Sequence, residues 1–252
     1  MKPDTPIYPE FSDPRLVAIY DAVNPIESYT SFYLELADQL SATTVIDIGC
    51  GTGLLTYELA KRGHRMIGAE PSHLMLEAAR ERLRGKSVKL VEGTAWDLGE
   101  EHADLAIMTG HVAQFFLDDK SWQRALVSIH KALKSGGYIA FESRNQLMQP
   151  FTNWPTKTKP SHIANTPLGP IEWWSENLIF DGGTAHYEIH YRFIDTDEEL
   201  VSKNELVFRS QEAITKSLQN AGFSVENIFG DWDKSPANDK SAEMIFVGKR
   251  EG

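Results

Sequence analysis

A single cysteine, Cys50, stands among 252 residues, so no disulfide can form within the chain. That fits a reducing compartment. No stretch approaches the roughly 18 apolar residues that a membrane-spanning helix needs. The first residues, Met1 to Pro6, lack the apolar core of a secretory signal. We therefore expect a cytoplasmic protein with no membrane partner. Basic residues are also scarce: 25 Lys and Arg face 36 Asp and Glu, for a net charge of −11. The densest basic stretch, Lys61-Arg62-Gly63-His64-Arg65, falls where a helix should end, a position at which cations favour the helix dipole. No Lys/Arg cluster with interleaved aromatics marks a nucleic-acid groove. No Cys/His pattern has zinc spacing, so we expect no metal, and no Ser-His-Asp arrangement can be assigned. What remains is a chain with 41% hydrophobic residues, enough for one full α/β core with an embellishment, or for two small domains.

The most informative stretch is Val45-Ile46-Asp47-Ile48-Gly49-Cys50-Gly51-Thr52-Gly53, followed by Leu54-Leu55-Thr56-Tyr57-Glu58-Leu59-Ala60. It predicts a strand, a tight glycine turn and a helix, the arrangement that receives the polar part of a nucleotide in an open α/β sheet. A dinucleotide motif wants a third glycine at the Gly-x-Gly-x-x-Gly spacing. Here that register holds Leu54 or Thr56, which argues against an NAD oxidoreductase. Cys50, inside the turn, reads as a small space-filling residue rather than a nucleophile. Glu70 ends the next short apolar segment, Arg65 to Glu70, 19 residues beyond Gly51. A carboxylate at such a strand tip accepts hydrogen bonds from ribose hydroxyls, and the following Pro71-Ser72 suits a helix cap.

Asp-Ile-Gly-Cys-Gly-Thr-Gly at a strand end resembles motif I of the class I S-adenosylmethionine (SAM) dependent methyltransferases. The resemblance covers about 42–145 and 210–249. It implies that Asp47, Gly49, Cys50, Gly51 and Gly53 wrap the methionine and ribose parts of SAM, with Glu70 and Pro71 beside them. Gly93-Thr94-Ala95-Trp96-Asp97-Leu98 is similar to the family's adenine-contacting turn, although Thr94 stands where an acid is common. It implies Ala95 and Trp96 against the adenine, with Asp97 as an alternative partner of its amine. Thr109 at the tip of the fourth strand and His111 just beyond it are expected near the methyl group. His111 serves there as a base or simply caps the next helix. Tyr20, on one of two helices that in this family cover the cofactor, is expected to reach the site. So is Arg144 at the tip of strand five, on the substrate side.

Read in order, the chain predicts helices over about 14–23 and 28–40, then alternating strands and helices to residue 145. Lys134-Ser135-Gly136-Gly137 is expected to stop one helix before strand five begins at Tyr138. Residues 1–12 and the proline-rich 146–170 read as irregular. Three alternating segments follow (171–180, 184–193 and 200–208), with Asp181-Gly182-Gly183 as a hairpin turn. A last helix and two strands close the chain. The expected fold is a doubly wound, mostly parallel seven-stranded sheet with an antiparallel β insertion after strand five. The expected division is an N-terminal helical cover (1–41), a SAM-binding core (42–145 and 210–252) and the insertion (146–209). The insertion is either a substrate lid, using Trp173, Trp174, Tyr187, Tyr191 and Arg192, or a dimer element, so the chain is a monomer or a homodimer. The expected activity is methyl transfer from SAM to a small-molecule acceptor, with no nucleic acid. The alternative is a non-catalytic SAM-binding sensor or partner subunit.

Overall fold

The computed structural model describes residues 6–25, 28–149, 154, 156–157 and 162–252. Its first helices are α1 (Pro9–Ser12), α2 (Pro14–Val23) and α3 (Ser28–Gln39). Then β1 (Thr44–Ile48), α4 (Leu54–Lys61), β2 (Arg65–Glu70), α5 (His73–Arg82), β3 (Val88–Glu92) and β4 (Ala103–Met108) alternate. They lead to α6 (Asp119–Ala132) and β5 (Leu133–Arg144). Four further strands follow: β6 (His162–Thr166), β7 (Gly169–Asp181), β8 (Thr184–Phe193) and β9 (Glu198–Val207). The chain closes with α7 (Gln211–Asn220), β10 (Phe223–Phe229) and β11 (Glu243–Arg250).

The helix starts are written locally. Pro14 occupies the first turn of α2, where its missing N–H costs nothing, and the Asp13 carboxylate accepts from the Arg15 N–H at 2.8 Å. Ser72 caps α5, Asp118 caps α6 and Ser210 caps α7, each accepting a backbone N–H of the first turn. β1 is buried over four of its five residues, as a central parallel strand covered on both faces should be.

Seven strands make the main sheet in the order β10-β11-β5-β4-β1-β2-β3. Only β11 runs against its neighbours, pairing antiparallel with both β5 and β10. One face carries Trp122, Leu126 and Ile129 of α6 and Ile214 and Leu218 of α7, packed on Phe141 and Phe246. The other carries Phe32 and Tyr33 of α3 and Leu55 and Leu59 of α4, packed on Val45, Met66 and Leu105. The strand order reverses between β1 and β4, both parallel, so a crevice opens beyond their carboxyl ends.

β6–β9 form a separate antiparallel sheet in chain order. One of its faces presents Ile171, Tyr191 and Phe193 to Leu16 and Ile19 of α2. The alternation of a strand puts neighbours on opposite faces. Trp174 and Arg192 therefore lie on the outer face, where Trp174 stacks on His190 and Arg192 pairs with Glu172. Only Trp173, Tyr187 and Tyr191 of the five expected contact residues share the face turned to the N-terminal helices.

Three elements depart from expectation. Leu133 enters β5 directly from α6 and lies opposite Ala103, so the expected stop at 134–137 is absorbed as an irregularity within the strand, with Gly136 at φ +73°. Backbone pairing with β4 was available there, and it outweighed the local turn signal. Pro9–Ser12 forms a single helical turn inside the segment read as irregular. β6 is the third. It is an edge strand with exposed Ile163, so its alternation is weak, and a turn in which Thr166 Oγ1 accepts from the Leu168 N–H at 3.1 Å returns it to β7. Residues 150–153, 155 and 158–161 of the expected loop, and 1–5 at the start, lie outside the described residues.

Trp122 is 1% exposed and contacts the rings of Phe116 and Phe141. Trp122→Ala should lower unfolding stability by about 3–5 kcal/mol. Chemical denaturation should show this as a lower midpoint at an unchanged slope.

Candidate functional site

The three glycines of the β1–α4 loop all adopt positive φ: +71° at Gly49, +54° at Gly51 and +79° at Gly53. At Gly49 the need is double, because an added Cβ would lie 2.5 Å from Val112 Cγ2. At Gly51 a Cβ would meet nothing within 4 Å, so this backbone faces open space. The loop is tied to the next strand by the Gly49 and Cys50 N–H groups, which donate to the Ala69 carbonyl at 2.8 and 3.2 Å. Cys50 fills the gap over Gly68, where a Cβ would sit 2.9 Å from its sulfur. Burial pushes the Cys50 thiol well above its ordinary value, as suits a packing residue.

Glu70 stands at the tip of β2 and is 7% exposed. One carboxylate oxygen accepts from the Gly51 N–H at 3.1 Å, the other from the Ser72 N–H at 2.8 Å. Burial pushes its pKa up to about 7 even so, the two backbone donors offsetting only part of the desolvation. Asp47, 1% exposed, accepts from Thr56 Oγ1 at 2.5 Å, while its other oxygen is buried with no hydrogen-bond partner among the described residues. Burial raises its pKa to about 6.

Above these groups lies an open-mouthed cavity of about 110 Å³. Tyr20, Gly49, Gly51, Glu70, Pro71 and Thr109 all line it, as do Met75, Thr94, Val112 and the aromatic wall of Phe11, Phe115 and Phe116. Phe11 meets Tyr20 and Phe115 edge-on, with centroids 5.9 and 5.7 Å apart. The N-terminal helices are latched over this cavity. Asp21 of α2 accepts from Thr52 Oγ1 at 2.6 Å and pairs with Arg82, and the Ser72 hydroxyl donates to the Phe11 carbonyl.

Other expected residues fall elsewhere. Ala95 is fully buried, but Trp96 packs against Phe116 and under the Arg124 guanidinium, and Thr94 lines the cavity in its stead. Asp97 is turned back to accept from the Thr94 N–H and hydroxyl, closing a capping box. Gly53 caps α4 behind the loop. Gly110 and Val112 line the cavity on either side of His111, whose own ring is held by Glu243 at 3.1 Å. The His111 N–H donates to the buried Glu142 at 2.7 Å, and Glu142 also accepts from Tyr33. Arg144 donates to Gln114 Oε1 at 3.0 Å and lies 5.8 Å from the Trp154 ring. Tyr191 and Trp173 are cross-strand partners, with Trp173 stacked on His162. Missed in the sequence were Phe11 and the Val112/Phe115/Phe116 group. The aromatic pair just after Gly110 was the available signal.

The residues fit SAM. A backbone open at Gly51, a carboxylate aimed at it, an orphaned acid oxygen on Asp47 and apolar walls match a ligand with a hydroxylated sugar, a cationic head and a flat base. Residues 45–137 match a family described as a methyltransferase domain. That segment is a methyltransferase domain. A putative methyltransferase of Geobacillus sp. (strain WCH70) is 22% identical to the chain over 242 residues, spanning 90% of this chain and 93% of that protein. The chain spans about half or less of the length of other curated relatives it matches. Its fold superposes on a SAM-dependent methyltransferase from Clostridium acetobutylicum with a TM-score of 0.79 at 16% identity, covering 94% of this chain and 98% of that one. A SAM-bound amino pentose methyltransferase from Micromonospora echinaspora gives a TM-score of 0.69 at 19% identity, with 92% and 96% covered. No helix among the described residues is long and apolar enough to cross a membrane.

The raised carboxyl groups set a pH dependence. Glu70 and Asp47 hold protons in the folded protein at pH values where the unfolded chain has released them. Stability is therefore greatest below the ordinary carboxyl range and declines as pH rises through about 6–7. Thermal unfolding of the ligand-free protein should show a midpoint lower at pH 8 than at pH 5.5 by roughly 5 °C. Glu70→Gln should flatten that slope.

Proposed function

We propose that this methyltransferase moves the methyl of SAM to a small-molecule acceptor held between the cavity and the inner face of the β6–β9 sheet. The observation that carries this reading is the enclosure. The cavity's aromatic wall is contributed by α1, α2 and the loop after β4, and the second sheet closes on α2 behind it. A concave, mostly apolar site suits a small ligand. The acid balance and the want of a basic stripe speak against long nucleic acid. The similar protein that acts on an amino pentose supports a small acceptor too.

In this reading Asp47, Gly49, Cys50, Gly51 and Gly53 form the cofactor loop, Glu70 receives the ribose hydroxyls, and Pro71, Ala95 and Thr109 shape the rest of the cofactor site. Trp96 supports that site from behind Phe116. SAM supplies an electrophilic methyl on a sulfonium, so the chain's own work is to align the acceptor and keep water out. Tyr20, Phe11 and Phe115 do the latter. His111, anchored to Glu243 and Glu142, positions the Gly110–Val112 floor. Residues 1–41 act as the cover, 42–145 with 210–252 as the core, and 146–209 as an acceptor lid. The lid reading is favoured over a dimer element because Tyr191 and Phe193 are already covered by α2 of the same chain.

Calorimetry with SAM and S-adenosylhomocysteine, followed by transfer of labelled methyl to small acceptors, tests the reading. Glu70→Ala should weaken SAM binding by about 1.5–3 kcal/mol, the usual loss for hydrogen bonds to a charged group. Unchanged affinity would remove Glu70 from the ribose. Trp173→Ala should raise the acceptor's KM while SAM affinity and molecular mass in solution stay the same. A mass that falls by half at constant KM would make the sheet a dimer element.

A further inference from the structure

Gly93, just past the tip of β3, donates its N–H to the Glu70 carbonyl at 3.0 Å and so ties the following turn to the end of β2. Thr94 comes next. It is half-buried and lines the cavity alongside Glu70, Pro71, Met75 and Phe116. The carboxylate of this turn, Asp97, is folded back onto the backbone. Its Oδ2 accepts from the Thr94 N–H at 2.8 Å and from the Thr94 hydroxyl at 3.2 Å. The same oxygen stands where a side chain at position 93 would go, since a Cβ there would lie 2.5 Å from it. Glycine at 93 thus makes room for the folded-back acid. Among the described residues that line the cavity, Glu70 is the single one with a charged side chain.

With the cofactor loop on β1 and the ribose acid on β2, the side of the cavity toward β3 is left for the base, because β3 is the next strand in the sheet. Around Thr94 that side offers Pro71, Met75 and Phe116, which are apolar. The Thr94 hydroxyl has its one hydrogen committed to Asp97, so only the lone pairs of a neutral oxygen remain to it. Magnitudes separate the ways of reading an exocyclic amine on the base. A hydrogen bond to a neutral oxygen adds up to about tenfold in affinity, whereas one to a carboxylate adds roughly tenfold to a hundredfold or more. Apolar walls by themselves discriminate poorly between ligands of one shape.

We propose that this protein holds the base of its cofactor by shape rather than by charge, that Thr94 is the residue that sets this tolerance, and that cofactor selectivity resides in the ribose contact at Glu70. This rests on the SAM reading above and goes beyond it. Asp97, the acid of the turn, is held in the capping box and does not read the base. Cofactors altered at the amine are therefore accepted nearly as well as SAM, and those without ribose hydroxyls are not. An acid at position 94 converts the site to one that reads by charge. Aspartate is itself a good N-cap, so the turn can carry it.

Calorimetry on the full chain tests this without any turnover, using S-adenosylhomocysteine and two of its counterparts. One has hydrogen in place of the base's amine, the other hydrogen in place of both ribose hydroxyls. The first should bind within about tenfold of the parent and the second at least about 30-fold more weakly. Asp97→Ala should leave the ratio of parent to deaminated ligand unchanged, and Thr94→Asp should raise it at least about fivefold. A deaminated ligand weaker by more than that tenfold in the natural chain overturns the proposal, whether or not either variant folds. So does an altered ratio in the Asp97→Ala protein, or an unaltered one in folded Thr94→Asp protein. Equal binding of the ribose-altered ligand overturns the placing of selectivity at Glu70. Failure of S-adenosylhomocysteine itself to bind would instead bring down the underlying SAM reading, and this one with it.

Discussion

The β1–α4 turn can exist only because three glycines accept positive φ, and most of the site depends on that turn. Gly49 must be a glycine both for its backbone angle and because Val112 occupies the space a side chain would need. Its amide and that of Cys50 bind the Ala69 carbonyl, which brings the loop onto the end of β2. Glu70, one residue further, then meets the Gly51 amide. Parallel pairing of β1 with β2 and β4 sets the strand ends level, so a glycine turn, an acid and the Gly110–Val112 floor converge on one crevice.

The cover is fastened to that same turn. Thr52 of the loop and Arg82 of α5 both reach Asp21 on α2, and Ser72 reaches the Phe11 carbonyl. The glycine turn and its neighbours thus also hold the helices that close over it. The second sheet extends the enclosure by burying Tyr191 and Phe193 against Leu16 and Ile19.

Charge is distributed with the same economy. Buried acids gather around the cavity, Asp47 and Glu70 on the cofactor side and Glu10 behind the aromatic wall, each displaced toward neutrality by loss of water. Glu142, also buried, is supported by Tyr33 and the His111 amide. A site that gathers carboxylates in this way suits ligands carrying positive charge, as SAM does at its sulfonium and amino groups.

The main sheet was legible in the sequence because its signals are local. Apolar runs, the cap at Ser72 and glycines at a strand end each act within a few residues. Glu70 could be read from spacing alone, since one strand, one turn and one helix fix where the next strand tip falls. β6 was not legible, because an edge strand draws its order from a partner's ladder rather than from its own alternation. Nor could the sequence say which way a side chain turns at a strand tip. Tertiary packing decided that Thr94 lines the cavity while Trp96 backs it, that His111 turns to Glu243, and that Arg192 and Trp174 belong to the outer face. Glu10 was the least legible of all. Nothing around Pro9-Glu10-Phe11 marks a buried acid, and its burial exists only because α1 is pressed between the cavity and a sheet some 180 residues later in the chain. The sequence by itself determined the fold and the glycine loop, whose physics is short-range. Only the tertiary structure decided how the N-terminal helices and the second sheet meet over the cavity, where every neighbour is distant along the chain.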